Sequence, residues 1–369
     1  MLLLSAVGAF VVAAHAAARP APSAASDDAA SALGREAVAF LAGRAADPDP
    51  EVRALVAAAW GELGNRAAIS TLKKALSDEN ADVRIASAAG LLKLGEIQGL
   101  LALIDETKPI KMGPSVNPAE ELRRMARDAA RARAALKLGE TGKTTAVAAL
   151  KTALGDPAGV VRDAAAVSLA RLGQGDCVQF LDAMKDADEG VRASAARSLG
   201  LIGRDGLEAL KKALAGDASA SVRAEAAAAL GSFDDPASIG LLATALADKS
   251  GRVRLAAARA LARRDDSAST AALKKLAAAS PPPELGLIAA AALAARAEPS
   301  DLGLAELTLG QKDPDLKMLA LVALAGSNRR EARELLAKAM HEDADARVRA
   351  RAAAILIARL RDAAPGGPK

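Results

Sequence analysis

Residues 186–203 read DADEGVRASAARSLGLIG, and looser copies of this stretch recur along the chain. They include residues 47–64 (DPDPEVRALVAAAWGELG), 217–231 (DASASVRAEAAAALG) and 248–262 (DKSGRVRLAAARALA). The intervals from Val191 to Val222 and from Val222 to Val253 are both 31 residues. A period of this length accommodates two short helices and two turns, which is typical of a helical solenoid.

The second helix of each repeat is predicted in some detail. We take the Val of each VR pair, or its replacement, as the origin of its repeat: Val52, Val83, Arg127, Val161, Val191, Val222, Val253, Leu285, Leu316 and Val348. Small or apolar residues recur at +4, +8 and often +11, and with the origin they form one buried stripe of a helix, as in Val191, Ala195, Leu199 and Ile202. Residues suited to capping a helix N-terminus stand at −3 in seven repeats: Asp49, Asn80, Asp188, Ser219, Ser250, Asp313 and Asp345. Leu-Gly pairs are expected to end several of these helices, at Gly64, Gly95, Gly139 and Gly173.

Alanine dominates the apolar half of the composition, which includes four Phe, one Trp and no Tyr. Alanine is the best helix former, and strand-forming residues are scarce outside the repeat positions. The sequence therefore predicts an all-α fold, a right-handed α-solenoid of about ten two-helix repeats over residues 31–362. The net charge is only +4 and both signs are interspersed, which indicates a solvated surface and no nucleic-acid partner.

An Asp at −5 and an Arg at +1 occur together in seven repeats. The pairs are Asp47 and Arg53, Asp78 and Arg84, Asp156 and Arg162, Asp186 and Arg192, Asp217 and Arg223, Asp248 and Arg254, and Asp343 and Arg349. With this D-x-x-x-x-V-R-x-x-A-A-x-x-L-x-x-L-G pattern the chain resembles the HEAT-repeat family, especially its short form known from phycobilisome lyases. The resemblance implies HEAT-like repeats in which these residues form a structural hydrogen-bonded ladder. It also implies a protein-binding scaffold, because few HEAT arrays are enzymes.

The N-terminal residues 1–18, MLLLSAVGAFVVAAHAAA, have no charged side chain and end in small residues. This is typical of a cleaved secretory signal peptide, followed by a Pro/Ala/Ser-rich linker over residues 19–30. We therefore expect a periplasmic or secreted protein with no transmembrane span in the mature chain. The alternative is an uncleaved segment that anchors the protein to a membrane. Residues 363–369 are expected to form a flexible tail.

An insertion over residues 105–121 interrupts the regular spacing. Its prolines and glycine predict an irregular loop, after which Asn117, Pro118 and Glu120 predict the start of a long helix that reaches about Leu138. The loop is either a tolerated insertion or a binding loop, since ordered loops on rigid scaffolds often carry recognition.

No motif predicts catalysis, a cofactor or a metal site. The stretch GETGKTT (139–145) lacks the first glycine and the preceding strand of a phosphate-binding loop. His341 and Glu342 resemble one ligand pair of deoxyhypusine hydroxylase, a HEAT-type di-iron enzyme whose site needs several such pairs. Cys177 has no His near it in sequence and is expected to be a packed thiol. No catalytic residue is nominated, and the protein is not expected to be an enzyme.

Positions +6 and +10 lie off the buried stripe, and the HEAT resemblance places them on the concave face. The basic residues that we assign to this face are Arg133, Lys137, Arg171, Arg197, Arg259 and Arg263. They form either a solvated face, since the helix dipole favours late cations, or a groove for an acidic protein segment or anionic polymer. The predicted function is a noncatalytic scaffold that binds a protein there. The alternative is a lyase-like or chaperone enzyme that acts on a protein-bound chromophore.

Overall fold

The computed structural model describes residues 24–109, 117–203, 205–296, 302–327 and 329–363. Over these residues the chain is all-α, contains no β-strand and alternates first and second helices of ten repeats. The predicted fold class is confirmed. The predicted signal peptide, residues 1–18, lies outside the described residues, as do residues 364–369 of the predicted tail. Helix α1 begins at Ala24, so the later part of the predicted 19–30 linker is helical instead.

The first helices of the repeats are α1 (Ala24–Gly43), α3 (Ile69–Ala75), α5 (Ile97–Glu106), α7 (Val147–Ala153), α9 (Val178–Ala183), α11 (Leu207–Gly216), α13 (Pro236–Ala245), α15 (Ser267–Ala278), α17 (Gly303–Leu309) and α19 (Arg330–Glu342). The second helices are α2 (Pro50–Glu62), α4 (Ala81–Lys93), α6 (Pro118–Glu140), α8 (Gly159–Arg171), α10 (Glu189–Ile202), α12 (Ala220–Leu230), α14 (Gly251–Ala262), α16 (Pro283–Ala295), α18 (Pro314–Gly326) and α20 (Ala346–Ala363). Short 3-10 turns, Arg66–Ala68 and Thr144–Ala146, precede α3 and α7.

The chain divides into two compact units. The central unit is Ala57–Asp235, and the terminal unit combines Met1–Val56 with Pro236–Lys369, as far as these are described. In the central unit α8 packs against α6 and α10, and α10 packs against α12. In the terminal unit α16 packs against α14 and α18, α18 packs against α20, and α1 packs against α20. Successive second helices therefore lie side by side within each unit.

Polar side chains cap the second helices much as the sequence predicts. Asn80, Asp188 and Asp313 each accept hydrogen bonds from two backbone N–H groups of the first helical turn. Asp49, Ser219 and Asp345 each accept one from the residue two positions later. The prediction is wrong for Ser250, whose side chain makes no capping hydrogen bond at the start of α14. These caps satisfy N–H groups that have no partner within the helix.

The two units end their second helices differently. In the central unit Gly64, Gly95, Gly142, Gly173 and Gly203 take the left-handed conformation just after the helix, with φ between +65° and +85°. In the terminal unit arginines at +11 bind the exposed carbonyls of the preceding second helix. Arg296 donates from Nη2 to the carbonyls of Leu261 (3.3 Å) and Ala262 (3.2 Å) at the end of α14. Arg359 approaches Leu324 near the end of α18 in the same way, at 3.5 Å.

Glycines, which have no Cβ atom, allow the second helices of the central unit to approach each other closely. A Cβ added to Gly200 on α10 would lie 2.5 Å from the Cβ of Ala229 on α12. A Cβ added to Gly139 would lie 2.7 Å from Ser168, and one added to Gly61 would lie 2.5 Å from the Cα of Gly90. The spacing between second helices is therefore set by small residues, as the alanine-rich composition predicts.

The buried stripe is confirmed at most origins, and Trp60 at +8 is 3% exposed. Val191 is an exception, since 41% of it is exposed. Our prediction that Val191 belongs to the buried stripe is therefore wrong.

The third repeat begins one helical turn later than we predicted from Arg127. Its origin is Ala130, which is 4% exposed and lies 31 residues before Val161. Gly139, predicted to end a helix, lies inside α6, and Gly142 takes the terminal left-handed conformation instead. The origin predicted at Arg127 is wrong because the insertion adds residues both to the loop and to the start of α6. As predicted, α6 starts at Pro118, where Asn117 caps it, and it is 23 residues long.

Candidate functional site

Each of the seven predicted ladder arginines binds the loop that leads into its own helix. Their Nη1 atoms donate to the carbonyl six residues earlier at 2.6–2.9 Å and to the next carbonyl at 2.9–3.2 Å. The first of these carbonyls belongs to the predicted ladder aspartate. The aspartate carboxylate accepts a hydrogen bond from the backbone N–H group two residues later, at 2.8–3.0 Å. Within one repeat the arginine therefore binds the aspartate's backbone while the carboxylate folds the loop.

Ion pairs between neighbouring repeats use the remaining donors and carboxylate oxygens. Arg192 donates from Nε and Nη2 to the carboxylate of Asp217 in the next repeat, at 2.9 and 3.0 Å. Lys317 forms a 2.8 Å ion pair with Asp343 in the terminal unit. The hydrogen bond from Arg192 lowers the pKa of Asp217, although burial of this carboxyl opposes the shift. The same bond raises the pKa of Arg192.

The inserted repeat carries the same contacts on different residues. Arg84 pairs with Glu106 at the end of α5, where regular repeats have the aspartate. Arg131 lies 25 residues before Asp156, as Arg192 does before Asp217, and it forms an ion pair with Asp156. Arg131 and Asp156 are almost completely buried, with 7% and 1% of their side chains exposed. Sequence reasoning missed Arg131, and the signal that would have found it is its 25-residue separation from Asp156.

The four basic candidates of the central unit have different surroundings. Arg133 and Lys137 are at +3 and +7 once the origin is corrected to Ala130, which removes them from the positions that we predicted to face a groove. Arg133 pairs with Asp82 at 2.6 Å, and Lys137 pairs with Glu140 at 2.8 Å.

The other two central candidates keep their predicted positions, +10 for Arg171 and +6 for Arg197. Arg197 binds the carboxylate of Glu225 on α12 through Nε (3.1 Å) and Nη2 (2.8 Å). This hydrogen bond raises the pKa of Arg197. Arg171 is exposed at the end of α8 and pairs with none of the described carboxylates.

The two candidates of the terminal unit lie one turn apart on α14. Arg259 is partly buried and Arg263 is more exposed. Burial lowers the pKa of Arg259, against the opposing effect of Glu284. The pKa of Arg263 is lowered because surrounding protein atoms remove water from its guanidinium, although the side chain as a whole is exposed, and the positive charge of Arg259 lowers it further. Arg259 therefore differs from Arg197, whose charge is balanced by a bound carboxylate.

The residues considered for other chemistry lie in first helices or directly before them. Cys177 is buried at the start of α9. His341 lies on α19, where its Nε2 is 3.5 Å from the carboxylate of Glu36 on α1. Across the described ranges, His, Cys, Asp and Glu side chains form no group of three or more suited to a metal ion. No described helix combines the length and apolarity needed to cross a membrane.

Sequence comparison identifies the repeat. A profile described as HEAT repeats matches residues 37–110, 118–200 and 207–294. The chain belongs to the HEAT-repeat family. A second profile, described as PBS lyase HEAT-like repeat, matches residues 191–216 of this HEAT-repeat chain. No curated protein matches the chain significantly.

Several solved structures resemble this HEAT-repeat chain at low identity. Human deoxyhypusine hydroxylase in complex with glycerol is 21% identical, with 74% of this chain and 97% of that chain covered and a TM-score of 0.33. YibA from Escherichia coli is 19% identical, with 81% and 95% covered and a TM-score of 0.35. The complex of CpcE and CpcF of phycocyanin lyase from Nostoc is 22% identical, with 79% and 94% covered and a TM-score of 0.31. Likenesses at this level carry no argument about activity.

Proposed function

We propose that this HEAT-repeat chain is a noncatalytic scaffold that binds a partner protein on the face formed by its second helices. The observation that carries the proposal is the side-by-side packing of these helices within each unit, which creates an extended face from many repeats. Solenoids commonly use such extended surfaces for recognition. Arg171 in the central unit and Arg259 in the terminal unit each belong to a second helix that is otherwise rich in alanine.

Site-specific cross-linking tests this proposal. A photoreactive amino acid replaces Arg171 on α8, and in a control variant it replaces Lys151 on α7, the first helix of the same repeat. Both side chains are exposed cations, so the two variants compare the two faces at one repeat. We expect one protein to cross-link at position 171 in the native cell, and the same protein to cross-link there again when it and the variant have both been purified. It should not cross-link at position 151. Equal labelling at both positions would contradict the proposal.

We also propose that the protein is exported, on the basis of the uncharged, apolar residues 1–18. N-terminal sequencing of protein expressed in a secreting host should begin near Ala17 or Arg19. Intact Met1 on protein recovered from the cytosol would contradict export. Intact Met1 on membrane-bound protein would favour the anchor instead.

A second candidate function is a lyase-like or chaperone activity on a protein-bound chromophore. Its support is the PBS lyase HEAT-like match, which covers only residues 191–216 and thus one second helix and one first helix. Coexpression with a phycocyanin subunit and its bilin tests this candidate through the visible absorbance of the purified subunit. Chromophore attachment that depends on this chain would favour the enzyme over the scaffold.

A further inference from the structure

An internal comparison shows what Arg259 lacks. Arg197 on α10 and Arg259 on α14 both occupy position +6 of their repeats. Arg197 binds Glu225, which is at +3 on the next second helix, α12. The +3 position on the helix after α14 holds Ile288 on α16, which is 6% exposed. The same arginine position thus has a carboxylate from the next repeat in the central unit and an apolar residue in the terminal unit.

The charges around Arg259 do not compensate for this difference. In the described part of the chain, no carboxylate lies within ion-pair distance of Arg259. Glu284, at the start of α16, is the acidic group whose field acts on it. Arg263 follows one turn later, and like charges four residues apart repel each other on a helix. Two positive charges therefore lie one helical turn apart, and screening by solvent is weaker around the partly buried Arg259 than in open water.

The neighbouring second helices present small, uncharged residues around this pair. The +6 and +10 positions of α16, α18 and α20 hold Ala291, Ala295, Val322, Gly326, Ala354 and Ala358. Among these second helices of the terminal unit, only α14 therefore has long cationic side chains at +6 and +10. Ala291 and Ala354 are buried, and the other four are partly buried. At these positions a segment that lies along the surface would therefore meet long side chains only on α14.

We propose that Arg259 anchors a carboxylate side chain from an acidic segment of the partner protein, and that Arg263 adds positive charge one helical turn away. This inference rests on the scaffold function proposed above and names the chemistry of its partner. A partner carboxylate would do for Arg259 what Glu225 does for Arg197. The planar guanidinium fork suits the two oxygens of a carboxylate, which gives direction as well as attraction. A nucleic acid is a poorer match, because single strands are usually held by stacking on aromatic residues and this chain is 1% aromatic.

Fluorescence anisotropy with a defined peptide tests the anchor directly. The probe is a short labelled peptide of alternating Glu and Ser, and its neutral counterpart replaces each Glu with Gln. The test variant is the double substitution Arg259→Gln and Arg263→Gln. The matched control is Lys275→Gln with Lys338→Gln, which removes two exposed cations from the first helices α15 and α19 of the same unit. Circular dichroism establishes that each variant keeps its helix content.

We expect the acidic peptide to bind the wild-type chain more tightly at low salt than at high salt. The arginine double variant should bind at least about ten-fold more weakly, the effect of losing one charge-assisted hydrogen bond. The lysine control should keep its affinity. Arg197→Gln should change it by less than about two-fold, because that cation already has a partner and exposed pairs contribute little. If the arginine double variant does not fold, the single variants Arg259→Gln and Arg263→Gln are compared with Lys275→Gln by the same criterion.

Three results would overturn the anchor. The first is equal affinity of the arginine and lysine variants for the acidic peptide, and the second is equal binding of the acidic and neutral peptides. The third is binding of single-stranded DNA or anionic vesicles through Arg259 and Arg263 without binding of the peptide. Cross-linking from position 171, in the central unit, does not depend on Arg259. Loss of the anchor alone would therefore leave that result intact, whereas failure of the scaffold would remove it.

Discussion

Substitution of Gly200 by Ala tests whether close helix contacts set the spacing of the central unit. The added Cβ would lie 2.5 Å from the Cβ and 2.6 Å from the Cα of Ala229. Since carbon atoms pack best at about 3.5–4.0 Å, α10 and α12 would have to separate by about 1 Å. Overpacking of this kind costs roughly 2–3 kcal/mol, because the Cβ and Cα of Ala229 cannot rotate away, and the better helix propensity of Ala returns about 1 kcal/mol. We expect the free energy of unfolding to fall by about 1–2 kcal/mol.

Gly240→Ala is the matched control. Gly240 is exposed inside α13, and a Cβ there would have no neighbour within 4 Å. Only the propensity gain remains, so this variant should be more stable by roughly 0.5–1 kcal/mol. Urea unfolding followed by circular dichroism at 222 nm measures both changes. The two substitutions are chemically identical, so their opposite signs would isolate the contact itself.

A double substitution localises the effect to the contact between α10 and α12. Ala229→Gly removes the Cβ that obstructs the methyl group added at position 200, and it should restore part of the stability lost in Gly200→Ala. The two changes should therefore be coupled by about 1 kcal/mol or more in a double-mutant cycle. Hydrogen exchange should also quicken in α10 and α12 of the single variant, since neighbouring repeats stabilise each other. Unchanged or increased stability of Gly200→Ala would refute the close-packing argument.

Three further predictions concern the buried and ladder arginines. Arg131→Met should lower the free energy of unfolding by about 3–5 kcal/mol, because it leaves the buried carboxylate of Asp156 without its partner; urea unfolding measures this, and a fall below about 1 kcal/mol would contradict it. The pKa of Asp217 is lowered in the folded chain, so its stabilising effect is complete above the unfolded value of about 3.9 and is lost as pH falls through the folded value. Arg192→Ala should therefore lower the melting temperature at neutral pH and flatten its fall between about pH 5 and pH 2; parallel profiles would exclude this link. Arg296→Ala should cost about 1–3 kcal/mol in urea unfolding and quicken hydrogen exchange at the end of α14, since it leaves carbonyls there unpaired; unchanged exchange there would show that Arg296 is not the cap.

The repeat period and the residue types at fixed positions were enough to predict where most second helices begin and where several of them end. Asp188 caps α10 and Gly203 ends it by interactions within a few residues, so the local sequence carries the information. The insertion defeated this reasoning. We took Arg127 as the origin of the third repeat, but Ala130 has that place and Arg131, at +1, makes the contact, because the added turns of α6 shift the register by three residues. The register of this repeat depends on which arginine reaches Asp156, and only the folded chain shows that it is Arg131.

The candidate face shows the same division more sharply. The sequence alone determined that this chain is an alanine-rich array of two-helix HEAT repeats with basic residues at +6 and +10, because hydrophobic period, capping and helix propensity act over a few residues. It could not distinguish Arg197 from Arg259, which have the same residue type at the same repeat position. Only the tertiary structure separated them, since the charge of a side chain is balanced by what the next helix places within about 3 Å of it. Glu225 lies 28 residues beyond Arg197 and meets it only after the repeats have packed.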